Sequence, residues 1–313
     1  MNSIWKSGIY GLIIGDAMGV PVEFGTREER ENNPIRDMTG YGTYNQPEGT
    51  WSDDSSMVLA TLASIKDKGK IDYKDIMDRF HDWCMYGEYT PFGEVFDIGI
   101  ATSRAVMKYS NGAGPLESGG ATEWDNGNGS LMRILPVCLY LFEQQKSLNI
   151  SDDEVIDIVH NCSALTHAHI RSQLACGIYY FLVRAVLGKC GELTERLQIG
   201  IDDAFEYYGK NDENELGSYN RLISLSQFKN TPKELIKSTG YVVYTLEAAI
   251  WCLINTSSYK EAVLKAVNLG DDTDTIAAVT GGLAGLYYTY DEIPASWRAK
   301  VQKKDWIDSL LKA

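Results

Sequence analysis

Two short acidic clusters stand more than two hundred residues apart in this chain. One is Ser52-Asp53-Asp54-Ser55-Ser56 and the other is Gly270-Asp271-Asp272-Thr273-Asp274-Thr275. Each sets carboxylates beside hydroxyls and then runs into an apolar segment. Hard divalent cations take this ligand set, oxygen donors from carboxylates, hydroxyls and water. If the clusters meet in the fold, several carboxylates share one small volume. Like charges that close cannot all stay ionised unless cations balance them. The pattern therefore predicts a metal site with more than one ion. Each cluster also has a plainer reading as a helix cap, since Ser and Asp oxygens accept from free backbone N–H groups. On that reading one helix runs from Ser55 to about Lys66 and another from Thr275 to Tyr288. Yet Asp271, Asp272 and Asp274 are three acids for one helix end, more than capping needs. In an extended or turn segment, Asp272 and Asp274 also point to one side.

Four further features could carry chemistry. Gly127-Asn128-Gly129-Ser130 precedes Leu131-Met132-Arg133, and glycines before a helix let backbone N–H groups approach a phosphate. The same residues also make an ordinary turn. Glu23 follows Val20-Pro21-Val22, so it is either a surface acid or a partly buried functional one. His167, in Thr166-His167-Ala168-His169, reads as a core or cap histidine. A metal chelate there fits poorly beside oxygen-rich clusters. Asp97 is an acid set between Phe96 and Ile98.

The elements that must position these residues have a helical period. Ile4, Trp5, Ile9, Leu12 and Ile13 make one apolar stripe, and Ile76, Met77, Phe80, Trp83 and Cys84 make another. Ser151 through Glu154 is a capping box that starts a helix. Thr231-Pro232 predicts a helix start, with the helix reading through Gly240 to about Asn255. Segments 112–115 and 121–129 read as loops, and 209–218 as a polar surface loop. Ala277, Ala278, Gly281, Gly282, Ala284 and Gly285 predict a helix packed closely on its neighbours, with the acidic run at its buried end. Alternating strand patterns are absent. The expected fold is an all-α bundle in a single domain over residues 1–313.

Composition narrows the function. The 313 residues are 44% hydrophobic and 23% charged, with a net charge of -14. The isoelectric point is about 4.8. Such an acidic surface argues against general binding to nucleic acid or to an anionic membrane. It still admits a small anionic ligand, because bound cations would reverse the local field. The apolar run Ile276 to Tyr290 is too short and Gly-rich to span a bilayer. Six cysteines without CxxC spacing read as buried free thiols, and the first residues lack a targeting pattern, so a cytoplasmic protein is expected.

Taken in order, these motifs resemble a known family. Gly15-Asp16-x-x-Gly19 with Glu23, Ser52-Asp53-Asp54, Gly127-Asn128-Gly129 with Met132-Arg133, Thr166-His167, and Gly270-x-Asp272-Thr273-Asp274-Thr275 follow the pattern of the ADP-ribosylglycohydrolases. That family includes the dinitrogen-reductase-activating glycohydrolases and the animal ADP-ribosyl-acceptor hydrolases. Gly240 to Ala249 and Ile293-Pro294-x-x-Trp297 extend the match to nearly the whole chain.

The resemblance implies a compact orthogonal helix bundle with a central cleft that holds two Mg²⁺ or Mn²⁺ ions. It implies Ser52, Asp53, Asp54, Asp272, Asp274 and Thr275 as metal ligands. Glu23 matches a catalytic acid near the ribose and the metals. Gly127, Asn128, Gly129 and Ser130 match the loop that receives the diphosphate, and His167 a residue lining the cleft. Asp97 looks like the acid that arginine-specific members place beside the guanidinium. The implied activity is hydrolysis of the N-glycosidic bond between ADP-ribose and a protein arginine, with an ADP-ribosylated protein as substrate. Two alternatives stand beside it: another ADP-ribosyl linkage, or a crystallin-like structural relative without activity. Three positions depart from the pattern. Asn126 stands where some members stack an aromatic on adenine, Tyr244 where many have Asp, and Asp271 in place of a common Gly.

Overall fold

Glycines near both ends of the chain face one another, and this close approach organises the molecule. The computed structural model describes residues 3–210 and 213–312. Among them are twelve helices of eight residues or more: α1 Ser3–Gly19, α2 Asp53–Lys68, α3 Tyr73–Tyr86, α4 Ile100–Ser110, α5 Leu135–Leu148, α6 Asp152–Ala164, α7 Ile170–Gly188, α8 Leu193–Tyr208, α9 Val242–Ile254, α10 Tyr259–Val267, α11 Thr273–Tyr288 and α12 Lys304–Leu311. Shorter helical turns join them. Among the described residues, β-pairing is confined to isolated bridges such as Gly127 with Tyr241. The fold is all-α.

Helices α1 and α11 are buried on nearly every side. A helix apolar all round belongs in a core. They run antiparallel with their backbones almost touching. A Cβ added to Gly11 would lie 2.3 Å from the Gly281 carbonyl oxygen, and one added to Gly15 would lie 2.0 Å from that of Ala277. At the far end a Cβ on Gly19 would meet Asp274 Cα at 2.3 Å, and Thr273 Oγ1 donates to the Gly19 carbonyl at 2.9 Å. The small-residue stripe thus does what its composition predicts. Gly15→Ala should cost at least about 2 kcal/mol, the scale of an overpacked core, because the obstacle is backbone that no rotamer can clear. Thermal unfolding checks this, and an unchanged melting temperature would show that the two helices are not this close.

The remaining helices surround this pair. Helices α7, α9 and α10 pack on α11, while α2 and α5 pack on α1. One apolar cluster runs from Trp5 to Leu311, and a smaller one around Met57, Met77, Phe80 and Met132 backs α2. Local signals place several starts well. Ser151 Oγ accepts from Glu154 N at 3.2 Å, and Glu154 Oε2 accepts from Ser151 N at 2.9 Å. Cys138, Cys162, Cys176 and Cys252 are buried free thiols, while Cys84 is half-buried and Cys190 exposed. Among the described residues no helix is long and apolar enough to cross a membrane.

Two expectations need correction. The helix expected after Pro232 begins only at Val242, with a single tight turn at Lys233–Leu235. Residues between them spend their backbone groups on distant partners. Ile236 O accepts from Arg27 Nη2 at 2.6 Å, Ser238 O from Asp272 N at 3.0 Å and Gly240 O from Asn128 N at 3.0 Å. A carbonyl so used, in a segment held extended, is not available for a helical ladder. The 209–218 segment is not simply a loop either. Glu213–Leu216 is helical and Gly217–Leu222 forms tight turns that bury Tyr219 and Leu222, while residues 211 and 212 lie outside the described residues.

Candidate active site

Because α1 and α11 are antiparallel, the end of α1 meets the start of α11. The chain leaves α1 through the turn Val20–Val22, and Glu23 then stands beside the acids that open α11. Carboxylate oxygens of Glu23, Asp272 and Asp274 all lie within 4.8 Å of one another. The first cluster arrives on α2. Ser52 caps that helix, and its hydroxyl lies 3.2 Å from Asp54 Oδ2. Thr275 Oγ1 donates to the same oxygen at 3.2 Å, so the two clusters touch across 221 positions of sequence. Ser52, Asp53, Asp54, Asp274 and Thr275 are buried, and Asp272 is half-buried. The six residues expected as ligands lie together, with two helix N-termini, each carrying a partial positive charge, aimed among them.

The electrostatics are severe. Burial, followed by the Asp97 charge, pushes the Glu23 carboxyl up to about 8. Burial raises Asp53, Asp54 and Asp274 well above the carboxylate range, and neighbouring acids add to it. Burial raises Asp272 too, although the Asn128 amide opposes it. Three buried oxygens, Glu23 Oε2, Asp54 Oδ1 and Asp274 Oδ2, have no hydrogen-bond partner. Unpartnered carboxylate oxygens in a buried, oxygen-only donor set are what a hard divalent cation would satisfy. The residues present fit such an ion.

Beside the cluster opens a cleft of about 710 Å³. Glu23, Asp53, Asp97 and Asp272 line one side, and Gly127, Asn128, Gly129 and His167 another. Asn128 ties the two sides together. Its Nδ2 donates to Asp272 Oδ2 at 2.6 Å and to Thr245 Oγ1 at 2.8 Å. Ser130 does not face the cleft. Its hydroxyl is buried and bonded to Ser163 Oγ at 2.9 Å. Asp97 sits in a left-handed conformation, φ 51, with the side chains of Tyr44 and Asp53 close enough to oppose the rise that burial gives its carboxyl. It is therefore nearer the acidic cluster than its separate place in the sequence indicates. Burial and the Asp272 charge raise it to about 6.

The departures noted in the sequence also find places. Asn126 is buried, its Oδ1 accepting from Ser172 Oγ at 3.1 Å, whereas Trp124 stands 94% exposed at the cleft mouth. Tyr244 lies outside the cleft lining, with its hydroxyl accepting from Lys237 Nζ at 2.9 Å. Asp271 lines the cleft in a left-handed conformation, φ 59, and its Oδ2 accepts from Ser238 Oγ at 3.1 Å.

Three supporting residues escaped the sequence reading as site residues. Asp16 is fully buried on α1 and accepts from Ser52 N at 3.0 Å, Ser55 N at 3.0 Å and Ser55 Oγ at 2.5 Å. It anchors the turn that carries Ser52, Asp53 and Asp54. A lone acid in an otherwise apolar helix was its available signal. Tyr44 stands beside Glu23 and Asp97, where its hydroxyl opposes the rise that burial gives both carboxyls, and it comes from a segment with no periodic pattern. Trp124 had no signal beyond its residue type.

Set beside known proteins, this arrangement has clear relatives. The model of the ADP-ribosylglycohydrolase family matches residues 5–313. The chain belongs to that family. It is 32% identical over 308 residues to "ADP-ribosylarginine hydrolase Tri1" of Serratia proteamaculans (strain 568), covering 97% of this chain and 77% of that protein. It is 28% identical to "ADP-ribosyl-[dinitrogen reductase] glycohydrolase" of Rhodospirillum rubrum, covering 94% of this chain and 88% of that one. A solved structure, "ADP-ribosylglycohydrolase-related protein complex", superposes with a TM-score of 0.77 at 29% identity, covering 98% of this chain and 95% of that one.

Proposed function

We propose that this protein is an ADP-ribosylarginine hydrolase, cleaving the N-glycosidic bond between ADP-ribose and a protein arginine. The observation that carries the reading is the meeting of the two acidic clusters at Asp54 and Thr275, beside a cleft with Asp97 in its wall. Five ionised carboxylates, Glu23, Asp53, Asp54, Asp272 and Asp274, are brought to within one charge of neutrality by two divalent cations. We assign those cations as Mg²⁺ or Mn²⁺, held by Ser52, Asp53, Asp54, Asp272, Asp274 and Thr275. When bound, such ions neutralise the acids and lower the pKa of bound water.

The chain's own groups then do the rest. Backbone N–H groups of Gly127 and Gly129 take the diphosphate, the Asn128 N–H being spent on Gly240 O, with the Asn128 side chain tying the turn to Asp272. The face of Trp124 is offered to the adenine. Asp97 takes the guanidinium, whose planar fork of donors suits a carboxylate. Glu23 accepts a proton as a water oxygen bonds to C1″ and the C1″–N bond breaks. The arginine leaves as neutral guanidine and regains that proton. The free cysteines agree with a reducing, cytoplasmic setting.

Turnover of ADP-ribosyl-arginine against ADP-ribosyl-serine peptides tests the linkage, and the arginine peptide should be the faster. Asp97→Asn keeps the shape and removes the charge. It should weaken the arginine-linked substrate by roughly 1.5–3 kcal/mol, the scale of a hydrogen bond to a charged group. Binding of free ADP-ribose, which has no guanidinium, should barely change. Equal losses for both ligands in calorimetry would make Asp97 part of the acidic cluster instead. A faster serine peptide would end the arginine assignment.

A further inference from the structure

A cleft that takes a diphosphate needs a counter-charge or strong donors, yet no Lys or Arg is among its lining residues. One cation stands behind the wall, linked to it through Thr166 and His167. Arg133 is 1% exposed and pairs with no carboxylate among the described residues. Its guanidinium lies over the Phe80 ring, 4.7 Å from the centroid. Nη2 donates to Cys162 O at 3.0 Å and to Thr166 Oγ1 at 2.8 Å. Thr166 Oγ1 in turn lies 2.8 Å from His167 Nδ1.

Counting donors orders this chain of contacts. A hydroxyl has one proton to give and lone pairs to receive with. Arg133 can only donate, so it occupies a lone pair of Thr166 Oγ1. The Thr166 hydroxyl proton then has one acceptor among its recorded partners, His167 Nδ1. An imidazole that accepts at Nδ1 and stays neutral carries its proton on Nε2. Burial, with the Arg133 charge adding, pushes His167 down to about 3, so the ring is neutral near pH 7.

The other edge of that ring faces the glycine turn. A Cβ on Gly129 would come 2.8 Å from His167 Cε1, and one on Gly127 would come 3.4 Å from Nε2. A second group points to the same place. Thr102 Oγ1 lines the cleft wall, is buried without a partner, and would lie 2.9 Å from a Cβ on Gly129. Both glycines thus keep clear the space that two side-chain donors flank.

We infer that Arg133 and Thr166 are positioning residues that lock His167 as its Nε2–H tautomer, so that Nε2–H and the Thr102 hydroxyl donate to an anionic group seated on the Gly127–Gly129 turn. The lock stands on the contacts of Arg133, Thr166 and His167 and on the burial of the ring, while the identity of the anion as a diphosphate rests on the function proposed above. Neutral donors suit this wall. A cationic side chain here would be drawn to the acids across the cleft, whereas a neutral N–H keeps its aim.

The test uses the whole chain with ¹⁵N-labelled histidines, and His167→Asn assigns the His167 signals. The wild-type ring should show a protonated Nε2 and an accepting Nδ1, unchanged from pH 5 to 8. Thr166→Val should release the tautomer and weaken ADP-ribose roughly tenfold, the loss of one well-aimed donor to a charged group. Adenosine, which has no phosphate, should lose nothing. Thr166→Ser should restore both the spectrum and the affinity. A wild-type Nδ1–H tautomer overturns the lock, and that measurement needs no variant to fold. A tautomer and an ADP-ribose affinity both untouched by Thr166→Val overturn the positioning role. A wild-type protein with the Nε2–H tautomer that does not bind ADP-ribose overturns the diphosphate reading instead.

Discussion

Asp54→Asn should abolish turnover and at the same time raise the melting temperature of the metal-free protein. Asp54 is fully buried, with Oδ2 near Ser52 and Thr275 and Oδ1 without a partner. Burial and the charges of Asp16 and Asp272 raise its pKa, so the folded protein carries an acid it would be more stable without. The isosteric amide removes that charge. Without metal the native state should gain stability, because burial and the neighbouring acids disfavour the charged form that the amide removes. With metal the loss should dominate. An amide in place of an anionic ligand holds the ions more weakly and leaves the reacting water unheld, and removing one preorganised group from a site costs roughly 10²–10³-fold in rate. Activity assays with melting curves in chelator would decide. Near-normal turnover removes Asp54 from the site, and a strongly lowered melting temperature in chelator would mean that its oxygens are structural.

Divalent metal should stabilise the native protein, and the need for it should grow with pH. A ligand at one hundred times its dissociation constant, binding only the folded state, adds about 2.7 kcal/mol. The pH dependence follows from the raised carboxyls. Glu23 holds its proton to about 8 in the folded state, whereas an unfolded Glu releases it near 4.3. The native metal-free protein thus binds more protons than the unfolded chain across this interval, and its stability falls as pH rises. Buried neutral His160 and His167, pushed down to about 4 and about 3 by burial, act in the opposite direction, but that effect is half spent at about pH 6.5, where an unfolded His is half protonated, and it fades above, while the raised carboxyls go on titrating. Between pH 6.5 and 8 the chelated protein should therefore melt at progressively lower temperature, and Mg²⁺ or Mn²⁺ should remove the slope. A metal-free melting temperature that holds or rises over that range would contradict the electrostatics. Indifference to metal at every pH would end the metal assignment.

Much of the site was legible because its residue types are chemically costly. Carboxylates packed beside hydroxyls and glycines in a helix interior both oppose stability unless they serve something, so Asp53, Asp54, Asp272, Asp274 and the 277–285 stripe stand out. Helix caps were legible for a local reason. Ser151 and Glu154 satisfy each other within three residues, and no distant group is needed. Sequence by itself thus determined the all-α class, several helix starts and the kind of chemistry.

Tertiary structure decided which groups meet. The antiparallel contact of α1 with α11 carries Glu23 to Asp272, and Asp16 reaches from α1 to fasten the start of α2. It decided that Ser130 turns inward, that Asp97 joins Asp53, and that Asn128 spans 144 positions to Asp272. It also overruled the helix expected after Pro232, where distant donors took the carbonyls of Ile236, Ser238 and Gly240. The reason is one of range. Periodicity and capping act within about four residues along a helix, the reach of its hydrogen bonds. A carboxylate, an amide or a carbonyl takes whichever partner the packed backbone brings within 3 Å or so, and that partner's place in the sequence is unconstrained.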